Sequence, residues 1–95
     1  MVMTLAMMQK GAVLFDSGDD FGAAEAANMA KYAAAEASIK ALDQAIQTHG
    51  GAGLSSEYGL AAMLGAARIA RVAPVSREMI LNFVSQHSLG LPRSY

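Results

Sequence analysis

Residues 21–53, FGAAEAANMAKYAAAEASIKALDQAIQTHGGAG, decide the fold of this 95-residue chain. Alanine recurs along this stretch at three- and four-residue steps. Because alanine has the highest helix propensity, the pattern predicts one long helix from about Phe21 to His49. A stripe of such small side chains lets a neighbouring helix approach closely. Gly50 and Gly51 are predicted to end the helix, since glycine adopts the left-handed conformation of a C-cap without steric penalty.

Three further helices are predicted on either side of the long one. They run from about Val2 to Phe15, from about Glu57 to Val72 and from about Pro74 to Ser88. The predicted caps are Asp19 or Asp20 for the long helix and Ser55 or Ser56 for the next. Proline suits the first turn of a helix, so Pro74 is expected to open the last one. No alternating strand pattern of useful length is present, and the chain is therefore predicted to be all-α.

The composition is unusually apolar for a small domain. Hydrophobic residues make up 54% of the chain and charged residues 16%, whereas an ordinary soluble domain is about 25% charged. We therefore expect this chain to self-associate, at least as a dimer, or to pack against a partner domain. Within the chain, Met3, Met7 and Leu14 share one face of the first helix and are interpreted as core filler. Glu36 and Lys40 are predicted to form a solvent-side ion pair, four residues apart.

Charge and residue usage exclude several function classes. The net charge is -1 and no basic block is present, so nucleic acid is not an expected partner. Residues 1–15 lack the features of a signal peptide and no segment is long enough to span a membrane, which predicts a cytoplasmic protein. His49 and His87 lie far apart with no third ligand at suitable spacing, so no metal site is expected. Glu78 is interpreted as a carboxylate that favours a helix N-terminus.

The glycine-rich loop of residues 50–53 after the long helix allows two interpretations. It is either a C-cap followed by a turn, or a loop whose backbone approaches a phosphate or a nucleotide closely, which glycine permits. No strand precedes it and no Gly-Lys-Ser/Thr follows it, so it is neither a dinucleotide fingerprint nor a P-loop.

A family resemblance adds to this interpretation. Residues 45–58, AIQTHGGAGLSSEY, resemble the acyl-CoA dehydrogenase signature, which is usually Q-x-x-G-G-x-G followed by an acidic residue and Tyr-Pro. Residues 30–34, AKYAA, are similar to the A-K-x-x-A stretch of the preceding helix in that family. Residues 67–69, ARI, look like the end of its R-D-A-R-I segment. The three pieces occur in order, and the resemblance covers roughly residues 23–90.

The resemblance implies a flavoenzyme of fatty acid metabolism that removes the α and β hydrogens of an acyl-CoA thioester and passes hydride to FAD. Its C-terminal domain is an up-down four-helix bundle at the centre of a homotetramer. The family's FAD contact across subunits carries over onto Gln47, Gly50 and Gly51. Residues 1–95 are then expected to form an incomplete C-terminal bundle, without its first helix and without the N-terminal and β-domains.

Three departures from the family pattern bear on activity. Gly65 and Ala66 replace the usual Arg-Asp, and Gly59 replaces the proline after Tyr58. Many members carry the catalytic Glu 27 residues after the signature Gln, and this position is Pro74 here. Proline accepts no proton, and the role is not transferred to Glu78, so no catalytic residue is assigned. The base is expected upstream of this chain, or the chemistry is altered.

The expected function is therefore that of a domain. The chain alone is predicted to have no dehydrogenase activity and to bind FAD weakly or not at all. The alternatives are a self-standing helical oligomerisation module, which a native start at Met1 would favour, and a small subunit of a split enzyme, which would co-purify with a flavin-binding partner.

Overall fold

The structure is a computed structural model and describes residues 2–94, so Met1 and Tyr95, the ends of the predicted domain, lie outside the described residues. Within this range every regular element is helical, which confirms the all-α prediction. The helices are α1 (Val2–Asp16), α2 (Asp20–His49), α3 (Leu60–Val72) and α4 (Arg77–Phe83). A 3₁₀ turn, Gly50–Leu54, follows α2, and a π turn, Val84–Ser88, follows α4.

Helix α2 is the axis of the fold, and α1 and α3 both pack against it. Its start is capped as predicted, because the Asp19 carboxylate accepts a hydrogen bond of 2.9 Å from the Gly22 N–H. Close packing on the alanine stripe is confirmed for the first half of α2. A Cβ on Gly11 of α1 would lie 3.6 Å from the Cβ of Ala26. The buried hydrophobic residues of the fold are Ala23, Ala26, Ala30, Ala33, Ala35 and Ile80.

The predicted start of the third helix is wrong by three residues. Helix α3 begins at Leu60, and its N-cap is Gly59 with φ 72°, with no side-chain cap. Neither Ser55 nor Ser56 caps it. Instead, the Ser55 hydroxyl accepts a hydrogen bond of 3.2 Å from the Glu57 N–H, so this serine closes a local turn before the helix begins. The left-handed backbone conformation of Gly59 changes the direction of the chain, so the helix begins only after this residue.

The predicted start of the fourth helix is also wrong. Pro74 lies in the loop of residues 73–76, and α4 begins at Arg77. Ser76 is the N-cap, and its hydroxyl accepts a hydrogen bond of 3.3 Å from the Met79 N–H. A serine cap satisfies one of the free N–H groups at a helix start, which proline at position 74 cannot do. The helical chain ends before Gly90, which has φ 70°.

Much of the apolar surface of this chain is exposed. The interpretation of Met3, Met7 and Leu14 as core filler is wrong for Met3, which is 68% exposed, whereas Met7 and Leu14 are half-buried. No residue of α1 is fully buried among residues 2–94. None of the helices within residues 2–94 is both long and apolar enough to cross a membrane.

Candidate functional site at the end of α2

The three residues predicted to contact a cofactor lie together at the C-terminal end of α2. Gln47 is in the last turn of the helix, and Gly50 and Gly51 open the 3₁₀ turn; all three are exposed. Gly50 has φ 63°, and its N–H donates to the Gln47 carbonyl. Gly50 is therefore the C-cap, as predicted, and its positive φ favours glycine. Its ψ of -141° lies outside the left-handed helical conformation that was predicted for the cap.

Of the two glycines that follow, Gly53 is required by close packing and Gly51 is not. Gly53 is buried, and a Cβ there would lie 2.5 Å from the Ile46 carbonyl oxygen, so close packing of the turn on α2 requires glycine. Gly51 has neither a positive φ nor any atom within 4 Å of a Cβ built on it. Nothing within residues 2–94 therefore explains the missing side chain of Gly51. The space beside it is open to a group from outside.

An exposed pair of rings stands beside this turn. The ring centroids of His49 and Tyr58 are 5.6 Å apart, with an interplanar angle of 54°. Nδ1 of His49 lies 2.8 Å from the Ala45 carbonyl oxygen. Because a carbonyl only accepts, Nδ1 carries a hydrogen and donates it, which fixes the ring and leaves Nε2 outward. Sequence reasoning considered His49 only as a metal ligand and did not identify this pair.

A second polar cluster joins α2 to the loop that holds Pro74. The predicted pair of Glu36 with Lys40 is wrong, because the Glu36 carboxylate accepts two hydrogen bonds from Arg71, at 3.0 and 2.8 Å. Nη1 of Arg77 lies 3.4 Å from the same carboxylate. A bidentate pair with arginine is stronger than one exposed pair along a helix, and the packing of α3 brings Arg71 into reach. Glu36 thus contacts both sides of the loop.

Lys31 holds the same loop through its backbone. The Lys31 ammonium donates to the Ala70 carbonyl at 2.6 Å and to the Val75 carbonyl at 2.9 Å. A lysine that reaches the last carbonyls of a helix satisfies acceptors that have no partner within the helix. Sequence reasoning missed this contact, because the two carbonyls lie 39 and 44 residues from Lys31 and no local pattern indicates them.

The loop itself supplies no acid or base at position 74. Pro74 is exposed and has no titratable group. Glu78 lies in the first turn of α4, which agrees with its prediction as a carboxylate near a helix N-terminus. Its side chain is 68% exposed, and its Oε1 lies 3.5 Å from Nη2 of Arg77. His87 packs against Phe83 instead of joining His49, at a centroid distance of 4.6 Å. Residues 2–94 contain no group of three His, Cys, Asp or Glu side chains that could hold a metal ion.

Comparison with known proteins identifies the family. The sequence model described as acyl-CoA dehydrogenase, C-terminal domain, matches residues 2–89. The chain is 73% identical over 89 residues to acyl-CoA dehydrogenase FadE12 of Mycobacterium tuberculosis, covering 94% of this chain and 23% of that protein. It is 43% identical over 61 residues to acyl-CoA dehydrogenase family member 11 of Rattus norvegicus, covering 64% of this chain and 8% of that protein.

A plant relative is also similar to this chain over only a small part of its own length. The chain is 40% identical over 77 residues to the probable acyl-CoA dehydrogenase IBR3 of Arabidopsis thaliana, covering 78% of this chain and 9% of that protein. The chain thus spans at most 23% of the length of these relatives. No solved structure matches it significantly. With a family model over residues 2–89 and helices in the expected order, this chain belongs to the acyl-CoA dehydrogenase family, as its C-terminal domain.

Proposed function

We propose that this chain serves as the C-terminal helical domain of an FAD-dependent acyl-CoA dehydrogenase. When bound, FAD would supply the hydride acceptor for the oxidation of an acyl-CoA thioester. The domain packs in the core of a homo-oligomer, a dimer or a tetramer, and Gln47, Gly50 and Gly51 contact the FAD of a neighbouring subunit. The 73% identity to acyl-CoA dehydrogenase FadE12 supports this role.

Gly51 is the observation that carries the proposal. A Cβ at this position would meet no atom of residues 2–94 within 4 Å and the backbone does not require glycine, so the space is open to the close approach of an outside group, which glycine permits. Gln47, exposed one turn earlier, offers both an amide donor and an amide acceptor to the same group. The turn therefore fits a cofactor with phosphate, hydroxyl and ring-nitrogen groups, as FAD has.

The chain's own contribution is to bind and orient, and proton abstraction is assigned elsewhere. Pro74 stands at the family position of the catalytic Glu and accepts no proton. Lys31 and Glu36 hold the loop of Pro74 against α2. We expect the isolated 95-residue chain to show no dehydrogenase activity and to bind FAD weakly or not at all.

A hybrid enzyme tests the proposal. The 89 matching residues of the mycobacterial FadE12 are replaced by those of this chain, and the FAD content and acyl-CoA oxidation of the purified hybrid are compared with those of the unaltered relative. We expect stoichiometric FAD and comparable activity. In the hybrid, Gly51→Ala should weaken FAD binding by about tenfold, because a Cβ occupies the space of approach.

Gly65→Ala is the matched control in the same hybrid. Gly65 also has no atom within 4 Å of a built Cβ and no positive φ, but lies in the middle of α3. Its FAD affinity should stay unchanged. A hybrid without FAD, or a Gly51→Ala hybrid that binds FAD as tightly as Gly65→Ala, would contradict the proposal.

A self-standing oligomerisation module is the second candidate, because the chain exposes large apolar side chains on α1, among them Met3, Met8 and Phe15. Sedimentation of the isolated chain separates the two roles. A discrete dimer or tetramer at micromolar concentration, together with a hybrid that lacks FAD, would favour the module. A small subunit of a split enzyme would instead form a stable complex with a separate flavin-binding chain.

A further inference from the structure

We propose that His49 and Tyr58 form an aromatic wall that stacks against a flat heteroaromatic ring of the cofactor at the glycine turn. This inference rests on the proposed function, because it places further residues of this chain at the same cofactor. The ring in question is either the isoalloxazine or the adenine of FAD, both of which present an extended π face to a side chain.

The two rings form an exposed surface, and the His49 ring is held in place. Tyr58 is 58% exposed although it is a large aromatic side chain, and His49 is exposed as well. The hydrogen bond of 2.8 Å from Nδ1 to the Ala45 carbonyl fixes the His49 ring against α2. Gly59, with φ 72°, turns the chain directly after Tyr58 and ends the segment that carries it. A ring fixed before binding loses little conformational entropy when a ligand stacks on it, and this applies to His49.

The position of the wall favours a ligand over internal packing. His49 is two residues before Gly51, so their Cα atoms are at most about 7 Å apart. An open backbone position and two exposed rings therefore adjoin each other, which suits a ligand with both a polar chain and a flat ring. The other aromatic cluster of the described residues differs, because Phe83 at its centre is half-buried and packs against His87 of the following π turn, at a centroid distance of 4.6 Å.

The hybrid enzyme described above provides the test. Its apoprotein is titrated with FAD and with FMN, and dissociation constants are taken from flavin fluorescence. We expect Tyr58→Ala and His49→Ala each to raise the FAD dissociation constant by about tenfold, the scale of one stacking contact. Tyr58→Phe and His49→Phe keep a ring and should retain most of the affinity. An equal loss for FMN assigns the isoalloxazine, and a loss for FAD alone assigns the adenine.

His87→Ala is the matched control, since it removes another exposed histidine ring that contacts an aromatic side chain far from the turn. Its FAD affinity should equal that of the parent hybrid. Thermal unfolding of each apoprotein separates loss of folding from loss of binding. Unchanged FAD affinity in Tyr58→Ala and His49→Ala, with Gly51→Ala still weakened, would overturn the aromatic wall alone. Unchanged affinity in all three would overturn the proposed function as well.

Discussion

Replacement of Glu36 by glutamine should loosen the loop between α3 and α4. The carboxylate accepts hydrogen bonds of 3.0 and 2.8 Å from Arg71, and the two side chains are only 30% and 21% exposed. A hydrogen bond to a charged group contributes about 1.5–3 kcal/mol. Glutamine keeps the shape and one acceptor oxygen, so part of one bond survives while the charge and the second bond are lost. We expect Glu36→Gln to cost about 2 kcal/mol.

The loss of stability in Glu36→Gln should be confined to one region, because Glu36 joins α2 to both sides of a single loop. If the free energy of opening this loop falls by about 2 kcal/mol, the open state is populated about 30-fold more. Amide hydrogen exchange of the 95-residue chain, followed by mass spectrometry, should therefore show about 30-fold faster exchange in peptides that cover residues 70–83. Peptides from α1 should exchange at the parent rate, since α1 does not contact this cluster.

Glu78→Gln is the control for this experiment. Glu78 also lies close to Arg77, at 3.5 Å, but its side chain is 68% exposed, and an exposed pair contributes less than about 1 kcal/mol. Its exchange pattern should resemble that of the parent chain. Equal effects of the two substitutions, or faster exchange spread evenly over α1, would refute the assignment of Glu36 as the residue that fastens the loop. Absence of protection in the parent's residues 70–83 would refute it as well.

Two further outcomes follow from single contacts. Lys31→Met removes the bond of 2.9 Å to the Val75 carbonyl and should speed exchange of the same loop by about tenfold, the effect of about 1.4 kcal/mol; exchange at the parent rate would show that Lys31 is dispensable. Gly53→Ala should lower the urea midpoint of unfolding, because its Cβ would lie 2.5 Å from the Ile46 carbonyl oxygen. Gly65→Ala should raise that midpoint, since the better helix propensity of alanine adds up to about 1 kcal/mol to the free energy of unfolding; the reverse order would contradict the packing of the turn.

The candidate site could be predicted in part from the sequence. The position of Gln47, Gly50 and Gly51 at the end of a long helix follows from local signals, and the structure places them there. Their contact with FAD stays a proposal. The His49–Tyr58 wall was not predictable, because its formation depends on the 3₁₀ turn that brings residues nine positions apart into contact. Chain spacing alone does not give the path of such a turn.

Local patterns in the sequence predict the helical class, the extent of α2 and an aspartate cap at Asp19 or Asp20, because alanine periodicity and capping act within a few residues of each other. Only the tertiary structure decided which groups meet across helices. Glu36 has a charged neighbour at Lys40 along its own helix, yet it binds Arg71, 35 residues away, once α3 packs on α2. A longer-range partner with bidentate geometry outcompetes a local exposed one, and no local pattern records that competition.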